Sequence, residues 1–577
     1  MPPPGYPNIL SDPAPQRNCY GSRLKLLAIL VLVCLALRGA MALRIPSVVP
    51  DGVLYIQLAK ALDAGDLAHG IEGMGLNTYP LILMLMHRTG LDWESAGVVW
   101  GVVIASLVVL PLYGWVRRQF DDRVAAAACL LYAVHPKTIE WSPEITRDST
   151  FWFLLTLELY LLWRAVTEVR VRWFLAAGPV LILAVLTRFE GLVLVFPLVL
   201  WTFWRWLALR EARARLVIGI VVCVTAVPLL AVLAAVFWWR VPLESLPVRL
   251  DPWARFQTWL EYLGGNTSAA QAGSNPLLPA DVPPMSTRAM LREFFATMTR
   301  GLAPIYALLM FGGLWGWRRT WARRDHQALF YAASGVLVGI WVHLWYDRMI
   351  CPRYAISIVL LASPFAALGF LGLLRRTRLA AEWLGCRARA SAAWTAVPVA
   401  VVVVVSVAAA MSSNRSYFAS RELAMELGRW VQRGPWTAPL LVGPAGITPI
   451  MSFYAKKGRC ESFRIDTADA STVDGLVQRY HPDVVLLHAT KRMDATRCEE
   501  LAAKMKTQGF TEVDPVPRPA RSDPLIVLVR QSAAIRAASF RPDPDAGGAR
   551  APERIASRIS VPKTGATSPR RKDGKAP

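Results

Sequence analysis

Histidine and cysteine are scarce in this chain, at seven and eight of 577 residues. The cysteines, at positions 19, 34, 129, 223, 351, 386, 460 and 498, form no CxxC and no dense framework, which excludes a zinc ribbon and a disulfide scaffold. No cofactor is expected; a divalent metal stays open but has no ligand spacing behind it. GxGxxG ahead of a strand, GxxxxGK[ST] and HExxH are all missing, so nucleotide-loop and zincin chemistry have no footing. No repeat of solenoid length is present. Charge is thin at 18% of residues, against about 25% in soluble domains.

What is abundant is apolar: 54% of residues, with 23 tryptophans, against roughly 45–50% apolar usage in soluble domains. The apolar residues gather from Leu24 to Met411 in blocks of the length a helix needs to cross a bilayer. The basic excess, 64 Lys and Arg against 41 Asp and Glu, sits mostly in short loops between those blocks and in the tail. Alternate short loops, around 117–118, 164–172, 205–215, 318–324 and 375–389, are rich in arginine, a positive-inside pattern that argues for the bilayer and against nucleic acid as partner.

These patterns predict a polytopic α-helical membrane protein of about eleven transmembrane helices with a C-terminal extracytoplasmic α/β domain. Four regions follow: a proline-rich, disordered cytoplasmic N-terminus over 1–22, a transmembrane domain over 23–411, the α/β domain over 412–535, and a disordered basic tail over 536–577. The stretch Leu26–Leu37 followed by Ala40-Met41-Ala42 also resembles a signal peptide, but Arg38 beside the would-be cleavage site favours an uncleaved anchor. An odd number of spans from a cytoplasmic N-terminus puts the C-terminal region on the same face as loops 46–92 and 240–300. The protein is therefore expected in the plasma (inner) membrane. In the α/β region an amphipathic helix (SRELAMELGRWVQR) precedes strands at 440–443, 483–488 and 525–530 in a βαβ-type order. Cys460 and Cys498 both lie there, paired or as two thiols.

Ionisable residues at the membrane face are where function is to be sought, because charge is costly there. Asp51 opens a surface-lying amphipathic helix containing Tyr55; alone it reads equally as a helix cap. The short loop KTIEWSPEITRDS holds Lys137, Glu140, Glu144, Arg147 and Asp148, with Asp148 or Ser149 able to cap the next helix. Arg188 and Arg353, the latter followed by Tyr354, place guanidiniums at the same face, for phosphate or for snorkelling.

In order along 24–375, these residues resemble the type C glycosyltransferases, in the branch of the protein O-mannosyltransferases and the lipid A aminoarabinose transferase. The likeness rests on Asp51-Gly52-Val53-Leu54-Tyr55, Thr78-Tyr79-Pro80-Leu81, His135-Pro136, Glu144-Ile145-Thr146-Arg147-Asp148-Ser149, Leu186-Thr187-Arg188-Phe189-Glu190-Gly191 and Pro352-Arg353-Tyr354. The resemblance implies inverting transfer of a sugar from a polyprenyl-phosphate carrier to a glycan, lipid or protein acceptor on the extracytoplasmic face. It makes Asp51 the general base, Glu144 a second acidic catalytic residue that orients acceptor or base, and Arg353, Arg147 and Lys137 candidate donor-phosphate contacts. Tyr55, Asp148, Arg188 and Tyr354 are further candidates. One departure stands out: many relatives carry Asp-Glu where this chain has Asp51-Gly52, which weighs against a protein hydroxyl acceptor. The competing reading is a transporter or flippase of a lipid-linked or anionic solute. Against it, the two halves of the chain look unlike and the charges gather at one face.

Overall fold

The computed structural model describes residues 19–71, 77–208, 211, 213–223, 286–317, 324–347, 351–383, 388–412, 415–434, 436–444, 446–456, 459–463, 477–488, 495–514 and 525–530. The chain is an α-helical membrane protein with one small sheet. Helix α1 (Cys19–Ala42) is followed by α2 (Pro50–Asp63), α3 (Leu67–Ile71) and α4 (Thr78–His87) in the first loop. The bundle continues through α5 (Trp93–Leu107), α6 (Val109–Gln119), α7 (Asp122–Val134), α8 (Pro136–Trp141), α9 (Asp148–Glu168), α10 (Val171–Thr187), α11 (Val195–Ala208) and α12 (Arg213–Val221). After a break come α13 (Thr287–Leu302), α14 (Pro304–Trp317), α15 (Arg324–Asp347), α16 (Ile356–Trp383) and α17 (Ala388–Ser412).

Among the described residues three helical stretches are long and apolar enough to cross a membrane: Gly21–Ala42, Trp93–Gln119 and Pro352–Glu382. The pair Thr287–Leu302 and Pro304–Gly316, bent by 90°, would make a fourth. The bend falls on Ala303, whose φ of 56° lies outside the helical region, directly before Pro304. Large apolar side chains such as Leu32, Leu308, Phe311 and Val404 point outward, where only a lipid surface would spare them exposure to water. Inside, Leu112, Tyr132, Trp152, Phe174 and Leu360 form one continuous core. Helices α14 and α16 touch backbone to backbone: a Cβ on Gly313 would collide with the Phe365 carbonyl, and one on Gly369 with that of Leu309. Such small-residue crossings let helices pack without a hydrophobic drive in lipid.

The C-terminal region begins with α18 (Arg415–Arg433), then β1 (Leu440–Pro444), α19 (Thr448–Ala455), β2 (Arg459–Phe463), β3 (Val484–His488), α20 (Ala495–Thr507), β4 (Phe510–Val513) and β5 (Leu525–Arg530). The sheet order is β2-β1-β3-β5-β4. Strand β1 runs parallel to β2 and β3, as a βαβ order requires, but β5 is antiparallel to both β3 and β4. Strands β2 and β4, without a long apolar run, escape a hydropathy reading because they are the sheet's edges. Side chains alternate with the pleat: Leu441, Val484, Leu486, Val527 and Val529 face α18 and α19, while Val442, Val485, Leu487 and Leu528 face α20.

The α18/α19 layer does not end at water. Val48, Val53, Tyr55, Ile56, Ala59, Tyr79, Leu83 and Ile145 share one core with Leu423, Leu427, Ile450 and Met451. The first loop, the 142–148 loop and the C-terminal sheet thus pack as a single layer over one end of the bundle. The side chain of Cys460 and residues 536–577 lie outside the described residues, as do loop 240–285 and residues 1–18.

Candidate functional site

Asp51 occupies the second position of α2. The cap residue is Val49, with no side-chain cap bond, and Pro50 fills the first turn, where its missing N–H costs nothing. The capping alternative is therefore replaced: the Asp51 carboxylate turns instead to Arg353, whose Nη2 donates to Oδ2 at 2.5 Å. Asp148 likewise does not cap α9, whose first position is preceded by Arg147 with no side-chain cap bond. It accepts from Arg188 Nη1, and its other oxygen stands 3.5 Å from Arg353 Nε. Arg188 also donates through Nε and Nη2 to both oxygens of Glu190, at 3.2 and 2.5 Å.

The result is an alternating chain, Asp51, Arg353, Asp148, Arg188, Glu190, built from four separate segments. Aromatic rings flank it. The Arg188 guanidinium lies 4.4 Å from the Tyr354 ring centre, and Arg353 lies 5.5 Å from both Trp141 and Tyr354. His343 meets Tyr354 edge-on from α15 at 4.8 Å; the side chain of Asp347 lies outside the described residues.

Exposure is lowest in the middle of the chain and rises to 18% at its Glu190 end. Side-chain accessibility is 44% at Asp51, 14% at Arg353 and 2% at Asp148. Asp51 is the most exposed of the five. It sits in a recess, accessible yet closely surrounded. Burial alone would raise its pKa, but the charge and hydrogen bond of Arg353, with Arg147 and Arg188 behind, outweigh this and hold the carboxyl below its ordinary value. Tyr55, one helical turn on, is pushed by burial up to about 12, against the pull of Arg147, and is a neutral phenol.

Arg147 is half-buried at the same recess, and its guanidinium makes no ion pair or hydrogen bond among the described residues. Its field still reaches Asp51, Tyr55 and Glu190. The loop that carries it is held by three glycines. A Cβ on Gly52 would stand 2.7 Å from Val48 Cγ1 and 2.9 Å from the Ile145 carbonyl, and one on Gly97 would stand 2.8 Å from Ile145 Cγ2. A Cβ on Gly101 would collide with the Ser142 carbonyl. No glutamate fits at position 52 unless α2 moves off the loop.

The other expected residues are placed differently. Lys137 pairs with Glu140 at 2.7 Å. Glu144 is buried and paired with Arg421 of α18 at 2.6 Å, outside the Asp51 chain. Arg421 and Trp141 are not singled out by the sequence, and Arg38 is singled out only as a sign of an uncleaved anchor. Arg38, fully buried in α1, donates to Ser142 Oγ at 3.1 Å and Thr138 Oγ1 at 3.3 Å, steadying the base of the loop. A signal for Arg421 existed: it stands in line with Ala424, Leu427 and Val431, a charge on the apolar stripe of its helix. Among the described residues no three His, Cys, Asp or Glu side chains gather in a form that could hold a metal ion.

Residues 78–239 match the family described as dolichyl-phosphate-mannose-protein mannosyltransferase. The matched segment carries the 142–148 loop and Arg188 and begins after Asp51. Among solved structures, the chain is similar to the apo form of the Archaeoglobus fulgidus oligosaccharyltransferase. The TM-score is 0.53 at 12% identity, over 82% of this chain and 70% of that one. The chain resembles the type C glycosyltransferases. ArnT from Cupriavidus metallidurans bound to undecaprenyl phosphate also aligns, at a TM-score of 0.49 and 14% identity, over 89% of this chain and 98% of that one. The likeness in fold is carried by the first of these structures. No curated protein matches in sequence.

Proposed function

We propose that this protein is an integral membrane glycosyltransferase that moves a sugar from a polyprenyl-phosphate carrier to an acceptor on the extracytoplasmic face, with inversion at the anomeric carbon. The observation that carries the reading is the position of Asp51: the accessible carboxylate at the head of a buried arginine chain, over one end of an apolar bundle. In the step so implied, an acceptor oxygen attacks the anomeric carbon, the bond from that carbon to the phosphate oxygen breaks, and the phosphate keeps the electron pair. The acceptor's proton passes to Asp51. A base needs reach and a lone pair, and Asp51 offers both. The leaving phosphate needs positive charge that is already in place.

The ion pairing divides the arginines. Arg188 and Arg353 are committed to carboxylates, whereas Arg147 is uncommitted among the described residues, and it is the one we assign to the phosphate. Arg353 orients Asp51 and becomes available to the phosphate only as it leaves that carboxylate. Lys137, held by Glu140, is a lesser contact. The eleven spans, a cytoplasmic N-terminus, an extracytoplasmic sheet and the plasma-membrane location belong to the same proposal. They rest on the arginine-rich loops and on the packing of the first loop against the C-terminal sheet.

The test is donor chemistry. Purified protein is incubated with polyprenyl-phosphate sugars labelled in the sugar, and carrier release and sugar transfer are followed. Turnover that disappears in Asp51→Asn supports the reading. Turnover retained in that variant, or none with any such donor in the wild type, overturns it.

A further inference from the structure

The deepest contact between the C-terminal region and the candidate site is a single side chain. Arg421 is 1% exposed, in the second turn of α18. Its Nη1 donates to Glu144 Oε1 at 2.6 Å and its Nη2 donates to the Ser47 carbonyl. Ser47 Oγ returns a bond to the Arg421 carbonyl at 3.3 Å. Beside this, the Val48 amide donates to the Tyr454 hydroxyl at 3.3 Å, and that hydroxyl donates to Glu94 at 2.8 Å. One guanidinium therefore grips two segments that are remote in sequence. The first runs from Ser47 into α2 and Asp51; the second runs from Glu144 through Ile145, packed on Gly52, to Arg147 and Asp148.

We infer that Arg421 is a positioning residue for transfer: through Glu144 and Ser47 it sets the spacing between Asp51 and Arg147, so that the C-terminal region is a working part of the site rather than an appendage. The inference rests on the function proposed above and changes the role of Glu144, which acts as Arg421's anchor and not on the substrate. A buried guanidinium can hold two segments in one geometry because its fork is planar and its donors diverge at fixed angles. Alternatives are poor at this: a lysine offers one nitrogen. The alignment of base and phosphate cation is what transfer needs, and displacement of a reacting group by about 1 Å costs about a hundredfold in rate.

Removing one partner of this pair leaves the other charge buried and alone, which threatens the fold. The primary variant is therefore the double replacement Glu144→Gln with Arg421→Met, which leaves no unpaired charge, set beside Arg421→Lys. Two readouts are taken on full-length protein in detergent. The first is kcat and donor KM with a labelled polyprenyl-phosphate sugar. The second is amide hydrogen exchange over 47–56 and 142–149, with β3 (484–488) as an internal standard for the folded sheet. The expected result is kcat lower by tenfold or more in the double variant, with donor KM within about twofold of wild type, and partial recovery in Arg421→Lys. Exchange should be faster in both segments and unchanged in β3. A double variant with wild-type kcat and wild-type exchange overturns the inference. So does a loss confined to donor KM, which would put Glu144 on the donor. If the wild type transfers no sugar, the functional reading falls, while the exchange experiment still decides whether Arg421 holds the two segments.

Discussion

Arg353 donates to Asp51 at 2.5 Å across 302 residues of sequence, and the same guanidinium faces Asp148 at 3.5 Å. The candidate base is thus held, in the resting protein, by a cation that a bound phosphate would also attract. Both partners lie on short segments entering helices, α2 for the acid and the turn before α16 for the arginine. Small shifts of either helix would lengthen the bond.

Asp51→Asn keeps the side chain's size and removes its basicity. Because Val49 is the cap of α2, no cap bond is lost and membrane insertion should be normal. Turnover should fall by roughly two orders of magnitude or more, the range for a general base. Carrier release from labelled donor measures it; an Asn variant with near wild-type turnover would return Asp51 to a structural role.

The pH profile should respond to Arg353. The folded pKa of Asp51 lies below its unfolded value of about 3.9. The stabilisation from its pairing is therefore fully present above about pH 4 and is lost as pH falls through the depressed folded value. In Arg353→Gln burial still pushes the carboxyl up while its strongest counterweight is gone. The acid limb of kcat/KM, which reports the free enzyme, should move to higher pH. An unmoved acid limb would show that another group sets it.

Arg147→Ala should leave folding nearly untouched, since no ion pair among the described residues is broken. Donor KM should rise by an amount equivalent to about 1.5–3 kcal/mol, the worth of a hydrogen bond to a charged group. Arg147→Lys should recover only part, because the bidentate fork is lost. If Arg353→Lys weakens donor binding more than Arg147→Ala does, the assignment of the two arginines is reversed.

Gly52 is a steric requirement. Its Cβ position is 2.7 Å from Val48 Cγ1 and 2.9 Å from a backbone carbonyl that cannot swing aside. Gly52→Ala should cost about 1–3 kcal/mol, as overpacking does. Gly52→Glu, which would create an Asp-Glu pair, should lower both the melting temperature and turnover. Gain of activity in Gly52→Glu would mean that α2 sits elsewhere in the working protein.

Glu158 of α9 is fully buried, and neither carboxylate oxygen has a hydrogen-bond partner among the described residues. No step of the proposed transfer uses it. Glu158→Met removes an unsatisfied polar group at similar volume and should raise stability by about 1–3 kcal/mol, read as a higher melting temperature in detergent, with turnover unchanged. A marked loss of turnover would expose a function for this carboxyl.

Much of the architecture was legible in residue order. Apolar blocks mark out the bundle helices, Asp51 stands at the start of the amphipathic helix of the first loop, and the runs at 440–443, 483–488 and 525–530 are strands β1, β3 and β5. Local rules suffice there because helix and strand formation depend on neighbours within a few residues. They also bring forward the residues of the site, since charge placed between apolar blocks is conspicuous: Asp51, Arg147, Asp148, Arg188 and Arg353 all stand out. Which of these charges touch was another matter. Asp51 reads as well as a cap and Asp148 as another, because sequence spacing assigns a carboxylate only to its own helix end, while Glu144 has a role only through the resemblance. The folded chain sends each to an arginine far away in sequence, by burying the charges together where an unpaired one would be costly. The grip of Arg421 on Ser47 and Glu144, the room denied to any side chain at Gly52 and the single core shared by the first loop and the C-terminal sheet are likewise products of long-range packing. Close packing fixes such contacts only when distant segments meet, so they were decided by the tertiary structure alone.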